Sequence, residues 1–282
     1  MVKRGYGGIG RRVGFRFRWV TVQVQVLLPV PKHPECVCFR DVYFLGEKMQ
    51  ADKKTHTYEK IYLLIFILLE LSVFPTVFMR HESIHTVLYY AAIVLCFLTS
   101  LVLLRLQKSS VFTSVALFFT VIADFFLILL GTGKLIAMCA FTLTQIFYCF
   151  RTLSLARSKQ ERICNITLRL IASAIATIAV FVVLKEEAEP LFVISLVYYA
   201  NLLMNIVFAF LHFKKHPLFA VGLLLFAFCD ALIGLSFVED IFALPEGNFI
   251  DVLWSLPVHL ESMFYQPAQV LLALSVLSER EK

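Results

Sequence analysis

An all-α polytopic membrane bundle of about eight helices is the fold class this sequence predicts, on three observations. Of its 282 residues, 60% are hydrophobic and only 16% charged, against roughly 45–50% and about 25% in an ordinary soluble domain. From Tyr58 onward the apolar residues gather into runs close to the roughly 20 residues that a helix needs to cross a bilayer. These runs are continuous rather than alternating, and hydrocarbon offers no partner to a free backbone N–H or C=O, so helices are preferred over a barrel. The composition excludes disorder and disfavours a water-soluble globule.

The spans are placed near residues 59–79, 86–104, 111–131, 135–155, 166–184, 191–211, 218–237 and 263–278. The last is the weakest because Pro267 interrupts it, and a seven-helix bundle with an interfacial final segment is the alternative. Orientation follows from charge in the short loops. Arg105 and Lys108, then Arg151, Arg157, Lys159 and Arg162, then Lys214 and Lys215 fall in alternate loops, whereas the others carry mainly acids such as Glu82, Glu186, Glu187 and Glu189. Both termini are therefore expected on the cytoplasmic side. Asn165-Ile166-Thr167, a glycosylation sequon, would then lie in a cytoplasmic loop.

The net charge of +6 is an N-terminal property, since residues 1–60 hold 12 of the 26 Lys+Arg but only 5 of the 20 Asp+Glu. This points away from a nucleic-acid partner. Residues 1–57 read as a basic, flexible extension that touches anionic lipid. They are Gly- and Arg-rich at the start, with Met49 as a second potential start just before the first span. Targeting is the alternative reading of an Arg-rich, acid-free beginning. The seven cysteines show no paired ligand spacing beyond Cys36 and Cys38, so neither a disulfide framework nor a metal site is expected, and no cofactor.

Ionisable residues within a spanning helix cost about 2.5–3.5 kcal/mol on insertion scales and mark function by default. Three occur here: Glu70, Asp124 and Asp230. Asp124 stands thirteen residues after Val111 and Asp230 twelve after Leu218, so the two aspartates occupy matching depths on spans that run in the same direction. One shared pocket is expected for them. Packing between helices is the competing role for each, and the stronger one for Glu70, which has no mate. Further polar pairs share helical faces: Gln145 with Tyr148, Asn201 with Asn205, and Tyr265 with Gln269. His81, His85, His212, His216 and His259 stand at loop or helix-end positions and are expected to be solvated or interfacial. The segment Val238–Ser262, acidic and aromatic, reads either as an interfacial loop or as a plain connector. No nucleotide loop, HExxH helix or GxSxG elbow is present.

Three segments converge on one family. FFTVIADFFLIL around Asp124, LLLFAFCDALIGL around Asp230 and FYQPAQVLLALSVLSERE from Phe264 resemble, in order and spacing, the signatures of the YhhN-like membrane proteins, whose characterised eukaryotic members are lysoplasmalogenases. The resemblance covers roughly residues 58–282 and implies an eight-helix domain over that stretch. It departs from the pattern at Ala123, where the family has Gly, at Cys229, where it has Ser, and at Gln145, where a His is expected. Losing that His leaves the proton chemistry to the aspartates or alters the substrate.

The resemblance implies hydrolysis of the vinyl ether bond of a lysoplasmalogen, a one-chain ether lysophospholipid, to a fatty aldehyde and a glycerophospho-head-group, in the endoplasmic reticulum membrane. Enol ether cleavage protonates the β-carbon, after which water adds to the oxocarbenium ion and the hemiacetal collapses. Two neighbouring buried carboxyls can divide into an acid that keeps its proton and a base that does not. Asp124 and Asp230 are the catalytic candidates, and Gln145, Tyr148, Tyr265 and Gln269 the candidates for positioning water or substrate. Two other classes stay open. A non-catalytic lipid-binding bundle is favoured by the absent His. A proton-coupled transporter would call for inverted repeats and broken helices.

Overall fold

The computed structural model describes residues 59–279, apart from 79–81, 108–110, 186–187, 243–244, 246–247 and 257. The basic extension expected over residues 1–57 lies outside the described residues, as do Lys108, His81, Glu186 and Glu187. The fold is all α, with no strand among the described residues. Helix α1 (residues 59–73) ends in a 3-10 turn, Phe74–Phe78. The others are α2 (Glu82–Gln107), α3 (Phe112–Asp124), α4 (Lys134–Leu155), α5 (Lys159–Leu184), α6 (Pro190–Leu211), α7 (Pro217–Phe242), the short α8 (Phe249–Trp254) and α9 (Leu260–Leu274).

Local chemistry sets the ends of these helices. Ser158 caps α5 by accepting the Glu161 N–H at 3.0 Å, and the Glu161 carboxylate in turn accepts the Arg157 N–H at 2.8 Å. Pro190 opens α6 at a position where its missing N–H costs nothing. Asn248 caps α8 through the Ile250 and Asp251 N–H groups. After Asp124, α3 continues as a π turn, Phe125–Leu129, and the chain then reverses through Gly131 and Gly133, whose φ of 61° and 72° a side chain would strain.

Seven of the described helices are long and apolar enough to cross a membrane. The predicted eighth span differs from them. It is a 15-residue helix, α9, continued by a 3-10 turn, Ser275–Glu279. At about 1.5 Å and about 2.0 Å per residue, the two pieces together reach roughly 32 Å, close to the thickness of a bilayer's hydrocarbon core. The ladder tightens where the Ser275 hydroxyl turns back onto the Leu272 carbonyl at 2.5 Å. Pro267, which made this span doubtful, is accommodated inside α9.

The helices pack as a closed ring in which each touches the next: α2 on α3, α3 on α4, α4 on α6, α6 on α7, α7 on α9, and α9 back on α2. Helix α5 lies outside the ring against α6 and shows Leu170, Ile175, Ile178 and Val182 to its surroundings. Helix α1 is also peripheral, tied to α2 by the Tyr62–Thr99 hydroxyl pair at 3.1 Å. The core inside the ring is aromatic and aliphatic, with Phe66, Phe219, Phe226, Leu117, Leu202, Leu223 and Leu272 all fully buried. Helices α7 and α9 approach closely at Gly222, where an added Cβ would stand 2.9 Å from Leu272 Cγ and 3.2 Å from its backbone N.

Several charged or polar groups assigned to loops belong to this interior instead. Arg151 is fully buried on α4; its guanidinium donates to Thr113 Oγ1 at 2.7 Å and to Ser275 Oγ at 2.6 Å, and lies 3.8 Å over the Phe219 ring. Helix α5 starts seven residues earlier than expected, which places Asn165 on it; Asn165 and Arg169 are both buried. Asn165 accepts from Arg169 Nε at 2.6 Å and donates to Thr152. The sequon's Asn165 side chain is therefore packed inside the fold, while Ile166 and Thr167 are exposed. His85 and His212 are buried, not solvated; His212 Nε2 meets Glu161 Oε1 at 2.7 Å. The segment 238–262 contains the end of α7 and all of α8, which buries Ile250 while exposing Phe249 and Val252.

Two outcomes follow from this packing. Gly222→Val should destabilise the bundle by about 1–3 kcal/mol through overpacking, read as a lower thermal midpoint in detergent; an unchanged midpoint would contradict the close approach. The second concerns His216, which lies between α6 and α7. Burial, with Arg151, His212 and Lys215 nearby, pushes its imidazole down from 6.5 to about 4. The unfolded chain therefore binds a proton that the folded chain refuses. This contribution to stability is complete above pH about 6.5 and is lost as pH falls toward about 4. His216→Gln should flatten that part of the midpoint-versus-pH curve.

Candidate functional site

Every helix of the ring sends a polar side chain toward the centre, and two carboxyls anchor the set. Asp124 closes the α-helical part of α3, immediately before the π turn, and is buried. Single π turns of this kind are frequent at functional positions because they displace one residue from the regular face. The Tyr265 hydroxyl on α9 donates to Asp124 Oδ2 at 2.6 Å. On the other side of the ring, the Tyr198 hydroxyl on α6 donates to Asp230 Oδ2 on α7. Each carboxyl is thus held by a phenol from a different helix.

A chain of ring contacts joins the two halves. Tyr265 meets Phe226 edge to face at 5.2 Å between centroids, Phe226 meets Phe141 at 6.0 Å, and Phe141 meets Tyr198 at 5.8 Å. The carboxyls of Asp124 and Asp230 are close enough for their charges to interact. Tyr89 of α2 completes the cluster; it packs on Tyr265 at 6.0 Å and lies within charge range of Asp124. Asp124 is buried, and Asp230 is half-buried as a residue. The sequence-predicted pair therefore shares one cluster, and its two members differ in exposure.

The four candidate positioning residues divide by place. Tyr265 touches a carboxyl directly. Gln145, Tyr148 and Gln269 sit nearer Arg151: α4 and α9 match in level across the ring, with Phe141 and Tyr265 joined through Phe226 at one level and Arg151 bonded to Ser275 at another. Gln145 and Gln269 fall between these levels. All three are buried, and Gln145 Nε2, the Tyr148 hydroxyl and both polar atoms of Gln269 have no hydrogen-bond partner. Buried polar groups are nearly always satisfied, so such a group is a candidate for contact with water or a ligand. Gln145 Oε1 is engaged by Asn205 Nδ2 at 2.9 Å, and Asn205 Oδ1 accepts from Arg169 at 2.7 Å. Asn201 faces α5 instead and donates to Ser173.

Glu70 belongs to a different place. Its carboxylate accepts from Cys96 Sγ at 3.4 Å and from Gln266 Nε2 at 3.1 Å, on the face of α9 that turns away from Tyr265. With Phe74, Pro267 and Leu271 it lines a largely apolar cavity of about 220 Å³ between α1 and α9. No group of three or more His, Cys, Asp or Glu suited to a metal ion occurs among the described residues.

Sequence reasoning missed Tyr198 and Tyr89. The signal for Tyr198 was present, because it extends the polar stripe of Asn201 and Asn205 by one helical turn. Tyr89 had no such partner in its own span.

The matching family model, described as the YhhN family, covers residues 84–276, roughly two thirds of the chain. No curated protein and no solved structure matches. The matched stretch runs from the first turn of α2 to the 3-10 turn after α9, so it includes the ring with both aspartates and Tyr89, Tyr148, Tyr198 and Tyr265, and it omits α1. A match of this extent, on the helices that build the centre, shows that the chain belongs to the YhhN family.

Proposed function

We propose that this protein hydrolyses the vinyl ether bond of lysoplasmalogens, releasing a fatty aldehyde and a glycerophospho-head-group, from within the endoplasmic reticulum membrane. The observation that carries the reading is the pair of carboxyls in the buried cluster, each held by a tyrosine from another helix. Family membership supports it.

In this reading Asp124, the more buried residue of the pair, is the acid. It gives its proton to the β-carbon of the enol ether, and the electron pair of the double bond forms the new C–H bond, leaving an oxocarbenium ion. Asp230, the less buried residue of the pair, takes a proton from water as the water oxygen bonds to that cation. The resulting hemiacetal loses its hydroxyl proton as the C–O bond to glycerol breaks and the glycerol oxygen is protonated. The electron bookkeeping closes with one water consumed and no redox change. Tyr265 and Tyr198 fix the two carboxyls, while Gln145, Tyr148 and Gln269 offer hydrogen bonds to water or to the glycerol end. The arrangement follows the logic of two-carboxylate glycosidases. A one-chain lipid suits it because the alkyl chain need not leave an apolar medium.

A second reading has its own observation. The apolar cavity between α1 and α9, with Glu70 in its wall, would serve a lipid-binding protein without catalysis.

Turnover of vinyl-ether, alkyl-ether and acyl lysolipids by the purified protein in detergent separates the two. Cleavage confined to the vinyl ether is expected. Asp124→Asn and Asp230→Asn should each lower kcat by at least about 10²-fold in a bundle of unchanged thermal midpoint, because an amide keeps the volume but cannot exchange the proton. Glu70→Gln should change kcat far less, and Gln145→His should leave activity unchanged or raise it. Wild-type turnover in both folded Asp→Asn variants would refute the two-carboxylate chemistry.

A further inference from the structure

The cavity between α1 and α9 differs in kind from the ring centre. Its wall is apolar, with Ile67, Leu71 and Phe74 from α1 and Pro267, Val270 and Leu271 from α9, and the bonded pair Glu70 and Gln266 completes the lining. Ile67 and Leu71 are exposed, so the rim on α1 lies on the outer surface of the bundle, where a membrane presents hydrocarbon chains. An apolar cavity of roughly 150 Å³ is enough for benzene, so one of about 220 Å³ takes a chain segment of roughly six to nine carbons.

The Gln266 side chain sets the polar requirement. The residue is only 3% exposed. Its Nε2 donates to the Glu70 backbone carbonyl at 3.0 Å and to Glu70 Oε2 at 3.1 Å, which uses both amide hydrogens. That carbonyl can only accept, so the amide is fixed in this orientation; turned over, it would set its own oxygen against another acceptor. Gln266 Oε1 has no hydrogen-bond partner. Both Glu70 carboxyl oxygens, by contrast, are engaged, Oε2 by Gln266 and Oε1 by Cys96 Sγ at 3.4 Å. Among the polar groups of this lining the unsatisfied atom is therefore an acceptor, and buried polar atoms are nearly always satisfied. Gln266 follows Tyr265 in sequence but points about 100° away from it around the helix, so the atom belongs to the cavity and not to the carboxyl pair.

We propose that this cavity is a binding site for a hydroxyl-ended lipid chain, a long-chain primary alcohol, separate from the chemistry at Asp124 and Asp230. The hydroxyl donates one hydrogen bond to Gln266 Oε1, the adjoining carbons fill the apolar part, and the rest of the chain passes Ile67 and Leu71 into the bilayer. The need for a donor fixes the class. Ester, ether and aldehyde ends only accept, so the fatty aldehyde of the proposed reaction does not meet it. A phosphate or carboxylate end would set a negative charge beside Glu70 in a lining that contains no basic residue. An ammonium end would bring three donors to one acceptor atom and give up its hydration to do so.

The test uses the full-length protein in nanodiscs and a sixteen-carbon primary alcohol that carries a diazirine near its hydroxyl. Photolysis should label residues 67–74 and 266–271, located by peptide mass spectrometry. Unlabelled hexadecanol should compete about fivefold better than its methyl ether or hexadecane, the advantage of one hydrogen bond. Gln266→Leu should abolish that preference. Because Gln266 also ties α9 to α1, a second variant acts at the exposed rim: Leu71→Trp should block labelling of both segments at an unchanged thermal midpoint. Equal competition by hexadecane or the methyl ether, or full labelling in folded Leu71→Trp, overturns the site. Specific labelling without vinyl ether cleavage would uphold the site and refute the proposed reaction, whereas cleavage without specific labelling would do the reverse.

Discussion

A polar group inside hydrocarbon must find its partner within the protein, and this constraint organises the whole ring. The strongest instances are the two phenol–carboxylate bonds, Tyr265 to Asp124 and Tyr198 to Asp230, each of which joins two helices. The same rule explains Arg151, whose guanidinium ties α4 to the start of α3 and the end of α9, and Arg169, which gathers Thr152, Asn165, Asn201 and Asn205 around one cation. Polar pairing places the helices laterally; aromatic packing fills the space between them.

Such a centre is well suited to proton chemistry. Surrounding Phe and Leu side chains make the centre less polarisable than bulk water, so charge interactions are stronger than they would be at a surface. Two carboxyls held by phenols from different helices then have distinct roles open to them. The unpartnered atoms of Gln145, Tyr148 and Gln269 extend the polar strip toward Arg151. The π turn after Asp124 is where the regular helix gives way at the carboxyl itself.

Much of this was legible in the sequence, for identifiable reasons. Continuous apolar runs reveal spans because hydrocarbon admits few alternatives, and seven of the eight expected spans have the length to cross. Equal depth on parallel spans raised the expectation of one site for Asp124 and Asp230, and a chain of ring contacts joins the tyrosines that hold them. What stayed hidden was direction around each helix. Arg151 and Asn165 lie near the ends of apolar runs, where a charge in a loop and a charge turned inward give the same hydropathy. His85 and His212 were misread for that reason too. Their burial depends on partners far away in sequence, Ser262 for one and Glu161 for the other, and no local pattern encodes such a meeting.

The most direct measurement is isotopic. Purified protein in D2O, supplied with a vinyl-ether lysolipid, should release a fatty aldehyde carrying one solvent deuterium on the carbon next to the carbonyl, because proton transfer to carbon is the step assigned to the carboxyl pair. Mass spectrometry of the trapped aldehyde reads this directly. Aldehyde released without deuterium at that carbon, or no more aldehyde than a variant lacking both aspartates produces, would contradict the two-carboxylate site.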